Sequence, residues 1–146
     1  MKMYLDSCCY NRPYDDRAQE KIHLEGEAII AIINRCKQYD YEIIGSPVLD
    51  LEIDNIGDIE KREKVKYLYN QTITTRVDYS ANIFERVKEL QKQTNLRNFD
   101  IFHLSFAEYS NVDILLTTDT RFEKSSSNVS LKTRVINPLR YLMEVM

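Results

Sequence analysis

The sequence predicts an α/β fold, a three-layer α/β/α sandwich built on a short, mostly parallel central sheet. Short apolar segments alternate along the chain with longer segments of helical periodicity, the pattern of parallel strands joined by crossover helices. Only three Gly and three Pro occur in 146 residues, which suits a compact helix-rich body rather than a collagenous or disordered chain. A composition of 43% hydrophobic and 29% charged residues is that of one ordinary soluble domain with one core, assigned to residues 1–146 with no linker in view.

Lys2–Asp6 opens the chain as a short strand, and Ser7–Asp15, with its Asn11-Arg12-Pro13, reads as a loop. Ile22, Ala28 or Ile29, Ile32 or Ile33, and Cys36 recur at helical spacing and predict a long amphipathic crossover over Arg17–Gln38. Asp15 and Asp16 stand where they would cap that helix. Tyr41–Gly45 is a second strand. Ser46-Pro47 then opens a short helix through Glu52, because a Ser hydroxyl accepts from first-turn amides and Pro is pre-set for the first helical position.

Asp58–Tyr69 and Ala81–Gln93 are further helical patterns, the second with Ile83, Phe84, Val87 and Leu90 on one face. Thr72–Val77, rich in β-branched residues, reads as a strand or an extended link. Asn98 is placed to cap a helix over Phe99–Tyr109 whose Phe99, Phe102, Leu104, Phe106 and Ala107 make it apolar on most sides, as a buried helix requires. Asp113–Thr118 is a buried strand, Ser125–Ser130 a polar loop and Arg134–Ile136 a short strand, and Pro138 starts a last helix to Met143 or beyond. No internal repeat is present.

Several function classes are excluded. Asp6 interrupts the apolar stretch a secretory signal needs, and no run of about 18 apolar residues occurs, so a cytosolic protein without membrane spans is expected. Cys8, Cys9 and Cys36 are odd in number and lack paired spacing, which supports neither a disulfide framework nor a zinc site; Cys36 belongs in a core. A net charge of −3 and a pI near 5.5 argue against holding nucleic acid by a broad basic face. A contact with phosphate bridged by metal ions stays open.

Ligands of parallel sheets sit beyond the carboxyl ends of the strands, so residues just after a strand are the first candidates. Asp6 ends the first strand, Asp119 follows Ile114–Thr118, Asp100 lies in the first turn of the helix before that strand, and Glu52 lies in the helix after the second strand. Three or four convergent carboxylates suffice for a hard cation such as Mg²⁺ or Mn²⁺. Such a site binds a scissile phosphate and lowers the pKa of an attacking water. Taken singly, Asp100 and Asp119 are more readily explained as helix caps than as catalytic acids, and Glu52 as a solvated charge among Asp50, Asp54 and Asp58. Asp6 is harder to explain away, since a carboxylate closing an apolar strand pays for its desolvation unless something compensates it.

The order and context of these residues resemble the PIN domain, a metal-dependent nuclease family that includes the toxins of many toxin-antitoxin modules. Tyr4-Leu5-Asp6-Ser7 is similar to the family's first motif and Ser46-Pro47-Val48-Leu49-Asp50-Leu51-Glu52 to its second. Asp100-Ile101-Phe102-His103-Leu104-Ser105-Phe106-Ala107 resembles the third, Leu115-Leu116-Thr117-Thr118-Asp119-Thr120-Arg121-Phe122 the fourth, and Val135-Ile136-Asn137-Pro138 the closing strand. The resemblance runs nearly end to end, and the fourth stretch is the most specific part of it. It implies Asp6, Asp100 and Asp119 as ligands of Mg²⁺ or Mn²⁺, Glu52 completing the pocket directly or through water, and Ser7 and Thr117 as hydroxyls that orient the carboxylates. It also implies RNA as substrate, a homodimer, and a small antitoxin protein as partner.

The stretch Cys8–Asp16 departs from the plain aliphatic start of many PIN toxins. Arg12 within it reads as a surface arginine without a substrate role. His103, one turn after Asp100, reads as a packed histidine bonded to a backbone carbonyl, and the ten Tyr as core and interface residues rather than base platforms. Two other classes compete. A catalytically silent scaffold for protein or RNA would be signalled by missing acids, and none is missing. A phosphatase of the haloacid dehalogenase type needs a second Asp two residues after the first, where Cys8 stands.

Overall fold

The computed structural model describes residues 1–146. Strands β1 (Lys2–Leu5), β2 (Glu42–Gly45), β3 (Thr75–Arg76), β4 (Ile114–Leu116) and β5 (Arg134–Ile136) form one sheet in the order β3-β2-β1-β4-β5, every pairing parallel. Helices α1 (Ser7–Asn11), α2 (Glu20–Gln38), α3 (Pro47–Asp54), α4 (Ile59–Thr72), α5 (Ala81–Gln93), α6 (Asn98–Tyr109), α7 (Thr120–Ser126) and α8 (Pro138–Val145) connect and cover it, as parallel strands demand. The predicted α/β architecture is therefore the observed one. In β1 the residues Met3, Tyr4 and Leu5 are fully buried, and Ile43, Ile44, Leu115 and Leu116 are nearly so, the continuous burial of strands covered on both faces.

Two strand–helix junctions fix the end of the sheet where the acids stand. Gly45 ends β2 without a side chain because a Cβ there would meet Ile73 Cδ1 at 2.7 Å and the Tyr69 hydroxyl at 2.8 Å. The chain can then turn at Ser46, whose Oγ accepts from the Leu49 amide at 3.2 Å and caps α3, as Ser46-Pro47 predicts. At the centre of the sheet Leu5 pairs with Leu116, so the residues that follow β1 and β4 leave it side by side.

The structure differs from the sequence reading in six places. Ser7–Asp15 is not a loop but α1 followed by a 3-10 turn at Arg12–Tyr14, because coiling there buries Cys9 and Tyr10 completely, with Tyr10 edge-on to Tyr69. The long helix starts at Glu20 with Gln19 as an N-cap that makes no side-chain bond. Neither Asp15 nor Asp16 caps it: Asp15 is held by Arg12 and Lys61, and Asp16 turns its Oδ1 to the Ala18 amide at 3.0 Å. Asn98 is inside α6 rather than its cap, which is Arg97. Phe99, on that helix, is 43% exposed. The polar loop begins after Ser126, since Ser125 and Ser126 complete α7. Cys36 is buried in the core as expected.

Candidate active site

Asp6, the residue after β1, is only 5% exposed and is gripped from β4: Thr117 Oγ1 donates to its Oδ2 at 2.9 Å. Its backbone amide donates to Leu116 O at 2.9 Å, so the carboxylate cannot leave the sheet's end. Thr117 Oγ1 also accepts from the Asp119 amide at 3.1 Å, tying the acids of β1 and β4 through one hydroxyl. Ser7 Oγ stands 3.5 Å from Asp6 Oδ1, a much weaker hold. Cys8 places its Sγ 3.4 Å from Asp6 Oδ2 and accepts from the Thr118 amide at 3.3 Å, a contact the sequence did not point to.

Asp119 does cap a helix: its Oδ1 accepts from the amides of Arg121 at 2.9 Å and Phe122 at 3.2 Å. That leaves Oδ2 without a hydrogen bond, so capping and ligation are compatible in one carboxylate. Glu52, in the last turns of α3, is hydrogen-bonded through Oε1 to His103 Nε2. The same nitrogen lies 3.5 Å from Asp6 Oδ1. Potential ligand atoms of Asp6, Glu52 and His103 accordingly lie within 4.8 Å of one another.

His103 corrects the sequence reading. It is fully buried, but neither ring nitrogen meets a backbone carbonyl: Nε2 faces Glu52, and Nδ1 stands 2.5 Å from the Tyr4 hydroxyl. The carbonyls of its own helix are engaged within that helix, whereas Tyr4 of β1 and Glu52 of α3 reach it from both sides. One signal was present, since a residue three after Asp100 shares its helix face. Burial opposes the imidazolium, yet the Glu52 hydrogen bond and the charges of Asp6, Glu52 and Asp100 outweigh it and raise the His103 pKa.

Asp100 sits half-buried in the first turn of α6. Burial first, then the charge of Asp6 and that of Asp119, push its carboxyl up to about 7, against the opposing pull of His103 and Arg97. None of the four acids is paired with a lysine or arginine; His103 is the only basic group that touches any of them. Asp6 and Glu52 share a close cluster with His103, while Asp100 and Asp119 lie outside it, Asp100 within reach of the charges of Asp6 and Asp119; carboxylate oxygens so placed are the donors a hard divalent cation selects. The residues present fit a hard divalent cation.

Other sequence candidates fall elsewhere. Arg12 is bound to Asp15 at 2.8 Å and to the fully buried Glu25 at 2.9 Å, a structural role. Tyr4, Tyr10, Tyr69 and Tyr141 are core residues.

The family model for the PIN domain matches residues 3–126. No curated protein sequence matches significantly. Among solved structures the fold is similar to that of VapBC2 from Rickettsia felis bound to a DNA fragment from their promoter, with TM-score 0.67 and 15% identity over 94% of this chain and 98% of that one. It is also similar to VapBC-1 from nontypeable Haemophilus influenzae, with TM-score 0.62 and 13% identity over 95% of this chain and 99% of that one. These structural likenesses speak to the fold, while the family match extends from β1 through the Thr117–Asp119 corner to the end of α7; the chain belongs to the PIN-domain family.

Proposed function

We propose that this protein is an endoribonuclease that hydrolyses phosphodiester bonds in RNA, with Asp6, Glu52, Asp100 and Asp119 as its acid set and Mg²⁺ or Mn²⁺ as its cofactor. The observation that carries the reading is the placing of these acids at one end of the sheet without a lysine or arginine paired to any of them: Asp6 and Glu52 meet at His103, and Asp119 is tied to Asp6 through Thr117.

In this reading Asp6, Asp100 and Asp119 hold the ion and Glu52 completes the pocket, directly or through water. A bound divalent cation supplies Lewis acidity, lowering the pKa of an attacking water and offsetting charge that builds on the phosphate. The chain itself supplies placement. Thr117 fixes the rotamer of Asp6 by donating to Oδ2, the α7 amides hold Asp119 through Oδ1, and His103 anchors Glu52. Ser7 adds a weak contact to Asp6. Asp100 gives up its proton to become a ligand, so metal uptake near neutral pH is accompanied by proton release.

A toxin role, with a small antitoxin covering the acidic pocket, is consistent with the likeness to the two VapBC structures. A homodimer, a single domain over 1–146 and a cytosolic location belong to the same proposal. No helix is long and apolar enough to cross a membrane.

The test is cleavage of a mixed cellular RNA pool by purified protein with Mn²⁺, with Mg²⁺ and with EDTA, beside Asp6→Asn. Cuts that need metal and disappear in the variant are expected. Full activity of Asp6→Asn would overturn the carboxylate mechanism, and no cleavage by folded, metal-loaded protein would favour a silent scaffold.

A further inference from the structure

A pocket of four acids repels the polyanion it is proposed to cut, and a protein of net charge −3 has no general basic face to compensate. Backbone contacts must then come from particular cations left free for the purpose. Seven of the ten arginines are in ion pairs with carboxylates, and an eighth, Arg35, lies over the ring of Tyr39. Arg97 and Arg121 alone have neither kind of partner, and both are exposed. With 23 acidic residues in the chain, an arginine without a carboxylate is the exception.

Of the three arginines without a carboxylate, Arg97 and Arg121 stand at the candidate site. Arg97 is the N-cap residue of α6, one turn before Asp100, and its charge is felt by that carboxyl. Arg121 is the second residue of α7, and its amide donates to Asp119 Oδ1 at 2.9 Å. Each guanidinium therefore hangs from the backbone that carries one of the acids, yet neither neutralises it by direct contact. A planar guanidinium offers paired donors that match phosphate oxygens, which a lysine ammonium does not.

We propose that Arg97 and Arg121 form the backbone clamp of the substrate site, binding RNA phosphates that flank the one held over the carboxylates. The inference rests on the nuclease reading and deepens it: it names the two side chains that make an acidic pocket acceptable to a nucleic acid strand. They act on binding, while the chemistry stays with the acids.

The experiment is steady-state cleavage of a labelled single-stranded RNA by the full chain, comparing wild type with Arg97→Gln, Arg121→Gln, the double variant and the Arg→Lys versions. Mn²⁺ affinity is measured on each by calorimetry. KM is expected to rise roughly tenfold for each Gln variant, as for a lost charged contact, with kcat and Mn²⁺ affinity within about twofold of wild type. The slope of log kcat/KM against log salt should flatten by about 0.7 for each arginine removed, the single-strand value for one phosphate, and Lys should restore the slope more than the KM. Unchanged KM and salt slope in the double variant overturn the clamp and leave the nuclease reading intact. Weakened Mn²⁺ binding with unchanged KM overturns it as well, since the arginines would then be supporting the acids. A wild-type protein that cleaves no RNA defeats the nuclease reading, and the clamp falls with it.

Discussion

The Tyr4 hydroxyl lies 2.5 Å from Nδ1 of His103, and both side chains are fully buried. The contact belongs to a chain that begins at the Leu49 amide, passes through Ser46 Oγ and Tyr4 Oη at 2.7 Å, crosses the imidazole and ends on Glu52. With His103 neutral, each hydroxyl accepts once and donates once, and Nε2–H is left to donate to the carboxylate. One line of bonds thereby couples β1, α3 and α6. Tyr4→Phe removes the hydroxyl in its middle and leaves the Ser46 hydroxyl proton and His103 Nδ1 without partners in the interior. A loss of about 1–3 kcal/mol is expected by urea unfolding, together with reduced kcat as Glu52 loses its fixed anchor. A stability unchanged within error would show that the chain is not an energetic unit.

Thr117 serves two acids with one hydroxyl, donating to Asp6 and accepting from the amide of Asp119. Thr117→Val keeps the shape and removes both bonds. Calorimetry should show Mn²⁺ affinity reduced by about 10- to 100-fold, the usual effect of removing a group that orients a ligand, while Thr117→Ser retains most of it. Equal affinity for Val and wild type would assign Thr117 to the fold alone.

The contrast between these two residues indicates how far the site was legible. Asp6, Asp119 and Thr117 could be picked out because residues just beyond strand ends are marked by local patterns: an apolar run, then a polar residue. Their meeting depends on β1 and β4 being neighbours, with Leu5 beside Leu116, and chain order alone does not disclose that adjacency. His103 was misjudged because its partners come from β1 and α3, far away in the sequence. Helix α1 was missed for another reason: five residues are too short to show a period, and Asn11-Arg12-Pro13 carries the composition of a turn. The caps at Asp15 and Asp16 failed because an ion pair with Arg12 and Lys61 outcompetes a helix end for Asp15. Local rules predict caps well only where no tertiary partner claims the side chain, as at Ser46 and Asp119.

Asp100 allows a test through pH. Its folded-state pKa of about 7 lies above the ordinary 3.8, so the folded protein keeps a proton that the unfolded chain has lost. Stability from this group is complete below about 4 and falls away as pH rises to about 7. Asp100→Asn removes the dependence. Without metal, the variant should be more stable than wild type above pH 7, with the difference shrinking toward acid, as read from thermal unfolding across pH. Adding Mn²⁺ should raise the wild-type midpoint above pH 7 and leave the variant nearly unmoved. A variant less stable than wild type at all pH values would mean that Asp100 is a structural acid.

Arg12 separates structural arginines from those proposed to bind substrate. Its Nε donates to Glu25 Oε1 at 2.9 Å, and Glu25, fully buried in α2, accepts from Asn137 Nδ2 at 2.8 Å on its other oxygen. Asn137 is in turn the N-cap of α8, so the carboxylate joins the 3-10 turn, the crossover helix and the C-terminal helix. The close approach is visible at Gly26, where a Cβ would sit 3.1 Å from Arg12 O. Arg12→Ala strands Glu25 with half of its partners, a defect that costs about 3–5 kcal/mol for a buried ion pair. The expected result is a large drop in unfolding free energy with metal affinity unchanged, and partial recovery in Arg12→Ala/Glu25→Gln, which removes the uncompensated charge. An Arg12→Ala protein as stable as wild type but with raised KM for RNA would instead move Arg12 into the same role as Arg97 and Arg121.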